Sequence, residues 1–248
     1  MARPRQMVLA PDLVALCHRD EVDPGPDGCW TELTDADFRA VANRLAQDSG
    51  DEPLWVFAYG SLIWKPEFDH IDSARATAFG WHRAFTLQIN RWRGSRAQPG
   101  LMMALAQGGR CDGVIYRLPD ADRVAQIERM LRREVSDCES LRSVRWLPVR
   151  GDFGNRRALG FWVGSTPRTI DRRPLSEVAR ILARACGHMG SCAEYLYNTV
   201  SHLEELGIRD RNLWRLQELV AAEIKALKGP DPQPRVQSDS PPDIRRAG

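Results

Sequence analysis

Leu54-Trp55-Val56-Phe57-Ala58-Tyr59-Gly60-Ser61-Leu62 is the stretch on which the fold turns. Six apolar and aromatic residues run on without a polar interruption and stop at Gly60-Ser61. A strand with one wet face alternates in polarity, whereas an unbroken run marks a strand buried on both faces. The glycine after it allows a tight loop in which backbone approaches a ligand closely. Successive N–H groups in such a loop can form a concavity suited to a substrate carboxylate or a developing oxyanion. A plain strand-ending turn has the same signature, so the four residues Tyr59–Leu62 admit both readings.

Downstream, Ala76–Ile89, Met102–Ala106, Gly113–Leu118, Ser143–Val149 and Ala158–Val163 have the composition of further strands. Gln98-Pro99-Gly100 and Gly108-Gly109 punctuate them. One helical pattern, Ala121–Arg133, interrupts the series. Many strands with few crossovers predict an α+β fold whose mixed or antiparallel sheet closes into a small β-barrel with packed helices. The last third is helical, with stripes at Leu175/Val178/Ile181/Leu182, Leu196/Thr199/Val200/Leu203 and Leu213/Leu216/Val220/Ile224/Leu227. Residues 1–50 form an N-terminal extension with helical parts. In it, a Pro24–Gly28 loop precedes a helix capped by Thr34, with Phe38, Val41 and Leu45 on one face. Residues 51–228 form the main domain. The tail 229–248, rich in proline and charge, lacks the apolar residues needed for order. No internal repeat is present.

The 248 residues are 43% hydrophobic and 27% charged, an ordinary balance for a soluble globular chain. A net charge of +2 favours neither nucleic acid nor an acidic membrane surface. The six cysteines, Cys17, Cys29, Cys111, Cys138, Cys186 and Cys192, make no C-x-x-C pair and suit reduced, mostly buried thiols. No signal-peptide core or apolar run of membrane-spanning length occurs, so a cytoplasmic protein is expected. A monomer or weak dimer is expected, with no nucleic-acid or membrane partner.

Glu134 is the titratable residue that stands out. Val124, Ile127 and Leu131 mark the buried stripe of the Ala121–Arg133 helix, and Glu134 follows three residues later on the same face. Desolvation there would raise the carboxyl pKa toward neutrality, as a general base or acid requires. A structural ion pair with Arg132, Arg133 or Arg142, or exposure by fraying, would account for it equally. Trp92, Arg93 and Arg96 interleave aromatic and basic character, but without any nucleic-acid-binding pattern they read as a solvated arginine-rich loop.

Together these segments resemble the ChaC family of γ-glutamylcyclotransferases. The resemblance rests on Trp55 to Pro66, on Gly80-Trp81-His82-Arg83-Ala84-Phe85, on Gln98-Pro99-Gly100 and on Asp112 to Pro119. Arg133-Glu134 and Glu194-Tyr195-Leu196-Tyr197 extend it, so that it spans roughly Trp55 to Leu227. It implies a small mixed β-barrel and cleavage of glutathione to 5-oxoproline and cysteinylglycine, with no cofactor. It further implies that Tyr59, Gly60, Ser61 and Leu62 bind the γ-glutamyl group with Tyr195, and that Glu134 carries the proton. Three positions depart from the family. Ala58 replaces a glycine, Leu101 stands where arginine is common, and Ser136-Asp137-Cys138-Glu139-Ser140 replaces a segment with glycine and tyrosine. Another γ-glutamyl amine as substrate, or a γ-glutamyl-binding module without turnover, therefore stay open as alternatives.

Overall fold

The computed structural model describes residues 5–26, 32–135, 137–138, 140–162, 164 and 173–229. The part of the expected Pro24–Gly28 loop beyond Pro26, Cys29, Ser136, Glu139, Val163 and the tail from 230 onward lie outside these residues.

Strand β1 (Trp55–Ala58) is buried at all four positions. Trp55 and Phe57 join an apolar cluster that includes Ala76, Leu105, Leu147 and Ala158, one from each of the other four strands. Val56 and Ala58 point the other way, into a larger cluster shared with the helices. Successive side chains on a strand face opposite sides. The unbroken apolar run thus serves the barrel interior and the helix-facing core at once.

Strands β2 (Asp72–Ile89), β3 (Gly100–Arg117), β4 (Val144–Gly151) and β5 (Gly154–Phe161) complete a closed barrel in the order β1-β3-β2-β4-β5. Among the described strands the parallel ladder is β1 with β5, through Trp55↔Ala158 and Val56↔Leu159, and an isolated parallel bridge joins Leu105 to Trp162. Every other pair in the barrel is antiparallel. The mixed barrel expected from the strand pattern is present, with one difference. Met102–Ala106 and Gly113–Leu118 are not two strands but parts of the single β3. Gly108 and Gly109 sit between them at φ of 105° and 74°. They face a break in register between Phe79 and Trp81 on β2, where Gly80 also has positive φ. Glycines here bend and twist a continuous ladder, as a β-bulge does, instead of ending it.

Helices α1 (Pro11–Ala15), α2 (Asp35–Ser49), α3 (Arg123–Glu134), α4 (Leu175–Leu182), α5 (Cys192–Glu205) and α6 (Arg211–Lys228) surround the barrel. Thr34 caps α2 as its sequence indicates, in a reciprocal capping box with Asp37. The N-terminal segment is packed onto the body. Gln217 on α6 accepts from the Val8 and Leu9 amides at 3.0 and 2.8 Å. On the far side, Arg39 of α2 bonds Glu128 of α3 at 2.6 Å. Of the cysteines, Cys17, Cys111, Cys186 and Cys192 are buried free thiols, and Cys138 is exposed. Among the described residues no helix is long and apolar enough to cross a membrane.

Gly113, opposite the end of β1, has no room for a side chain: a Cβ there would lie 2.4 Å from the Ala58 carbonyl oxygen and 2.9 Å from the Phe57 ring. Gly113→Ala must push β1 and β3 apart and should cost about 2 kcal/mol, a fall in Tm of roughly 4–8 °C in a thermal melt.

Candidate active site

The chain leaves β1 at Tyr59 and turns through a short 3-10 helix, Ser61–Ile63. The turn is closed by bonds from Ile63 N–H to Gly60 O at 2.9 Å and from Lys65 N–H to Ser61 O at 2.7 Å. Among the described residues no backbone carbonyl takes the amides of Gly60, Ser61 or Leu62. The Leu62 side chain is buried in the core, so this residue can serve a ligand through its amide alone.

Glu134 arrives from the opposite direction, as the last residue of α3. Ile127 and Leu131 are fully buried, as the helical stripe implies, and the Glu134 side chain retains 20% exposure. The helix does not fray there, since Val135 N–H still bonds Leu131 O at 2.8 Å. Arg133 holds this end against the turn. Its Nη1 donates to the Lys65 carbonyl and sits 3.2 Å from Glu67 Oε2, while its Nε sits 3.0 Å from Glu134 Oε1. The ion pair considered from sequence is therefore real. Burial nevertheless prevails and pushes the Glu134 carboxyl up from its usual range, with the Arg133 charge opposing and the Glu67 charge assisting.

Tyr195, in the first turn of α5, completes the cluster. A Cβ on Gly60 would come within 2.8 Å of the Tyr195 phenol oxygen, which places the hydroxyl directly on the turn. The Tyr195 ring packs edge-on to Trp64 and Phe85, at centroid distances of 6.0 and 6.1 Å. Burial first and the Glu134 charge second push its phenol up to about 12, against hydrogen bonding from Ser61. Tyr59 is raised well above the ordinary tyrosine range by burial and then by the same carboxylate. Both phenols are neutral at physiological pH and available as donors. Tyr59, Gly60, Ser61, Glu134 and Tyr195 thus share one small volume.

Two arginines join them that the sequence analysis did not assign to the site. Arg93 is no solvated loop residue. Its side chain is 13% exposed, bonded to Glu194 at 2.6 Å and to the Ser191 carbonyl at 2.9 Å, with its guanidinium 5.6 Å from the Tyr195 ring centre. Arg83 is more deeply placed, with a 1% exposed side chain whose Nε donates to the Tyr59 carbonyl at 2.6 Å. Its signal in the sequence was a charged residue in the strand Trp81-His82-Arg83-Ala84-Phe85, where burial demands a partner. The departures from the family pattern have structural homes, with Ala58 buried at the end of β1. Leu101 is buried in the core, and Asp137 and Ser140 close a tight turn through mutual bonds of 2.8–3.0 Å. Among the described residues no group of three or more His, Cys, Asp or Glu could hold a metal ion.

The architecture gives the fold. The chain shares its fold with a γ-glutamyl cyclotransferase specific to glutathione from yeast, at a TM-score of 0.60 and 20% identity, over 68% of this chain and 96% of that one. The family follows from the sequence matches. A model of the ChaC-like protein family matches residues 54–223, and the chain belongs to that family. It is 35% identical over 186 residues to the glutathione-specific γ-glutamylcyclotransferase of Escherichia coli, covering 73% of this chain and 79% of the relative. It is 32% identical over 196 residues to γ-glutamylcyclotransferase 2-1 of Arabidopsis thaliana, covering 71% and 89%.

The environment of Glu134 has a consequence for stability. A folded-state pKa above the unfolded value means that the native protein binds the proton more tightly, so stability is lost as pH rises through the folded pKa. Glu134→Gln removes that loss. Thermal melts should show the glutamine variant gaining on wild type as pH rises above the ordinary glutamate pKa, the gap levelling off once Glu134 is ionised in the fold. A gap independent of pH would mean that Glu134 ionises in the fold as it does in water.

Proposed function

We propose that this protein is a γ-glutamylcyclotransferase that cleaves glutathione to 5-oxoproline and cysteinylglycine. The observation that carries the reading is a desolvated carboxylate, Glu134, held against a neutral Tyr195 phenol and a turn whose amides from Gly60 to Leu62 meet no backbone carbonyl among the described residues. The relatives named for this reaction on glutathione support the choice of substrate.

The substrate's own α-amino nitrogen attacks its γ-carbonyl carbon. A five-membered lactam closes and the amide bond to cysteine breaks. The substrate ammonium loses one proton to solvent to become the nucleophilic amine; that amine then loses a second as the ring closes, and the departing amine gains one. Glu134 performs the last two transfers in turn, and its raised pKa brings it closer to the groups it serves. Negative charge gathers on the γ-carbonyl oxygen in between. Amides from Gly60 to Leu62 are donors of the right kind for that oxygen or for the substrate α-carboxylate. Holding the γ-glutamyl chain folded for attack by its own nitrogen supplies much of the acceleration, since effective molarities of well-placed intramolecular nucleophiles are very large. The Asp137–Ser140 turn, unlike the family's usual segment, favours a second reading in which another γ-glutamyl amine is the better substrate.

Incubation with glutathione should yield 5-oxoproline and cysteinylglycine in equal amounts by mass spectrometry. Glu134→Gln should lower kcat by ~10²-fold or more with its fold intact. Intact glutathione alongside cleavage of other γ-glutamyl amines would establish the second reading. Normal turnover by Glu134→Gln would remove that residue from the mechanism.

The acid limb of kcat/KM offers a separate check. If Glu134 must be ionised to accept the proton, activity should rise with pH through a pKa above that of an ordinary glutamate. A limb at or below the ordinary value would contradict the role of burial.

A further inference from the structure

We propose that Arg83 is a positioning residue that aims the Gly60 N–H into the active site by pinning the peptide ahead of it. The proposal rests on the reaction assigned above and names a group that acts on it from outside the substrate pocket.

The Arg83 guanidinium spreads its nitrogens over three elements. Nε donates to the Tyr59 carbonyl at 2.6 Å, Nη2 to the Asp112 carbonyl on β3, and Nη1 lies 3.2 Å from Asp210 Oδ2 at the start of α6. The first contact matters for chemistry. The Tyr59–Gly60 peptide is trans, so its C=O and N–H point in opposite directions. A carbonyl held toward Arg83 therefore turns the Gly60 N–H away from it. A guanidinium bond to that carbonyl also polarises the peptide and makes its N–H a stronger donor.

The pin is needed because of what Gly60 must be. Tyr195 leaves no space for a Cβ, and a residue without one is free to rotate the peptide before it. No backbone carbonyl among the described residues takes the Gly60 amide, so nothing on the N–H side fixes the plane. Arg83 does so from the carbonyl side. Asp210 holds Arg83 in turn and caps α6, accepting from the amides of Asn212 and Leu213 at 3.0 Å. Arg83 and Asp210 also line a polar cavity of about 450 Å³ with His82, Arg110, Arg209 and Arg211. Asp210, 19% exposed, opens onto this cavity beside the buried Arg83, so a small solute can reach the space that Arg83→Ala would leave.

That access makes the idea testable. Arg83→Ala should lose on the order of 10²-fold in kcat with KM little changed, as for removal of an oxyanion donor. Roughly 50 mM guanidinium chloride, far below unfolding concentrations, should restore part of the rate where equal sodium chloride does not. Asp210→Asn keeps the helix cap, since asparagine caps as well as aspartate, but loosens the grip on Arg83. It should lower kcat by roughly 5-fold, and it decides the matter if Arg83→Ala does not fold. Either variant folded with wild-type kcat, or impaired in KM alone, would overturn the proposal. If wild type itself leaves glutathione intact, the reaction is wrong but the clamp is still decided. The Gly60 amide resonance in an NMR spectrum should then move in Asp210→Asn and Arg83→Lys, and an unmoved resonance would refute the clamp.

Discussion

The barrel is closed by a strand of four residues. β1 pairs antiparallel with β3 and parallel with β5, and each of its residues is buried. No position on it can be polar without stranding an unsatisfied group in one core or the other. Most other features depend on this element. Gly113 must lack a side chain so that β3 can approach it, and the turn through Gly60 and Ser61 starts where it stops. A short strand fixed on both sides and both faces is a rigid support for such a turn, and rigidity is what a site of aimed N–H groups requires.

Charge is placed around this support with economy. Arg133 anchors the end of α3 to the segment behind the turn and partly offsets the Glu134 carboxylate. Were the pairing stronger, the carboxyl would fall toward its ordinary range. Were it absent, the burial of Glu134 would cost more stability. Tyr59 and Tyr195, neutral through burial and through the nearby carboxylate, bring donors without adding charge. Arg93 and Glu194 form the remaining ion pair at this rim, next to the Tyr195 ring.

The N-terminal segment and the helices at the other end serve the site indirectly. Gln217 receives the amides of Val8 and Leu9 inside the helical layer that carries Tyr195. α2 lies along α3, with Asp35 and Glu128 both paired to Arg132, so the helix that presents Glu134 is held from its outer face as well.

By itself the sequence determined the elements and the main actors. The two-faced run Leu54–Tyr59, the strand-rich centre, the α3 stripe ending at Glu134 and the capping Thr34 are local patterns of period and composition, legible because neighbouring residues produce them. The long β3 was misread as two strands, because a Gly-Gly pair ends a strand or bends one depending on what lies across the ladder. Only the tertiary structure decided how Glu134 balances between burial and Arg133, that Tyr195 lies on Gly60, and that Arg83 and Arg93 are docked and not solvated. Most of these depend on residues far apart in the chain, such as Arg83 and Asp210, 127 positions apart, brought within a few ångströms. Nothing in a residue's own neighbourhood encodes which distant carbonyl or carboxylate will meet it, because that is set by how the barrel closes and the helices pack.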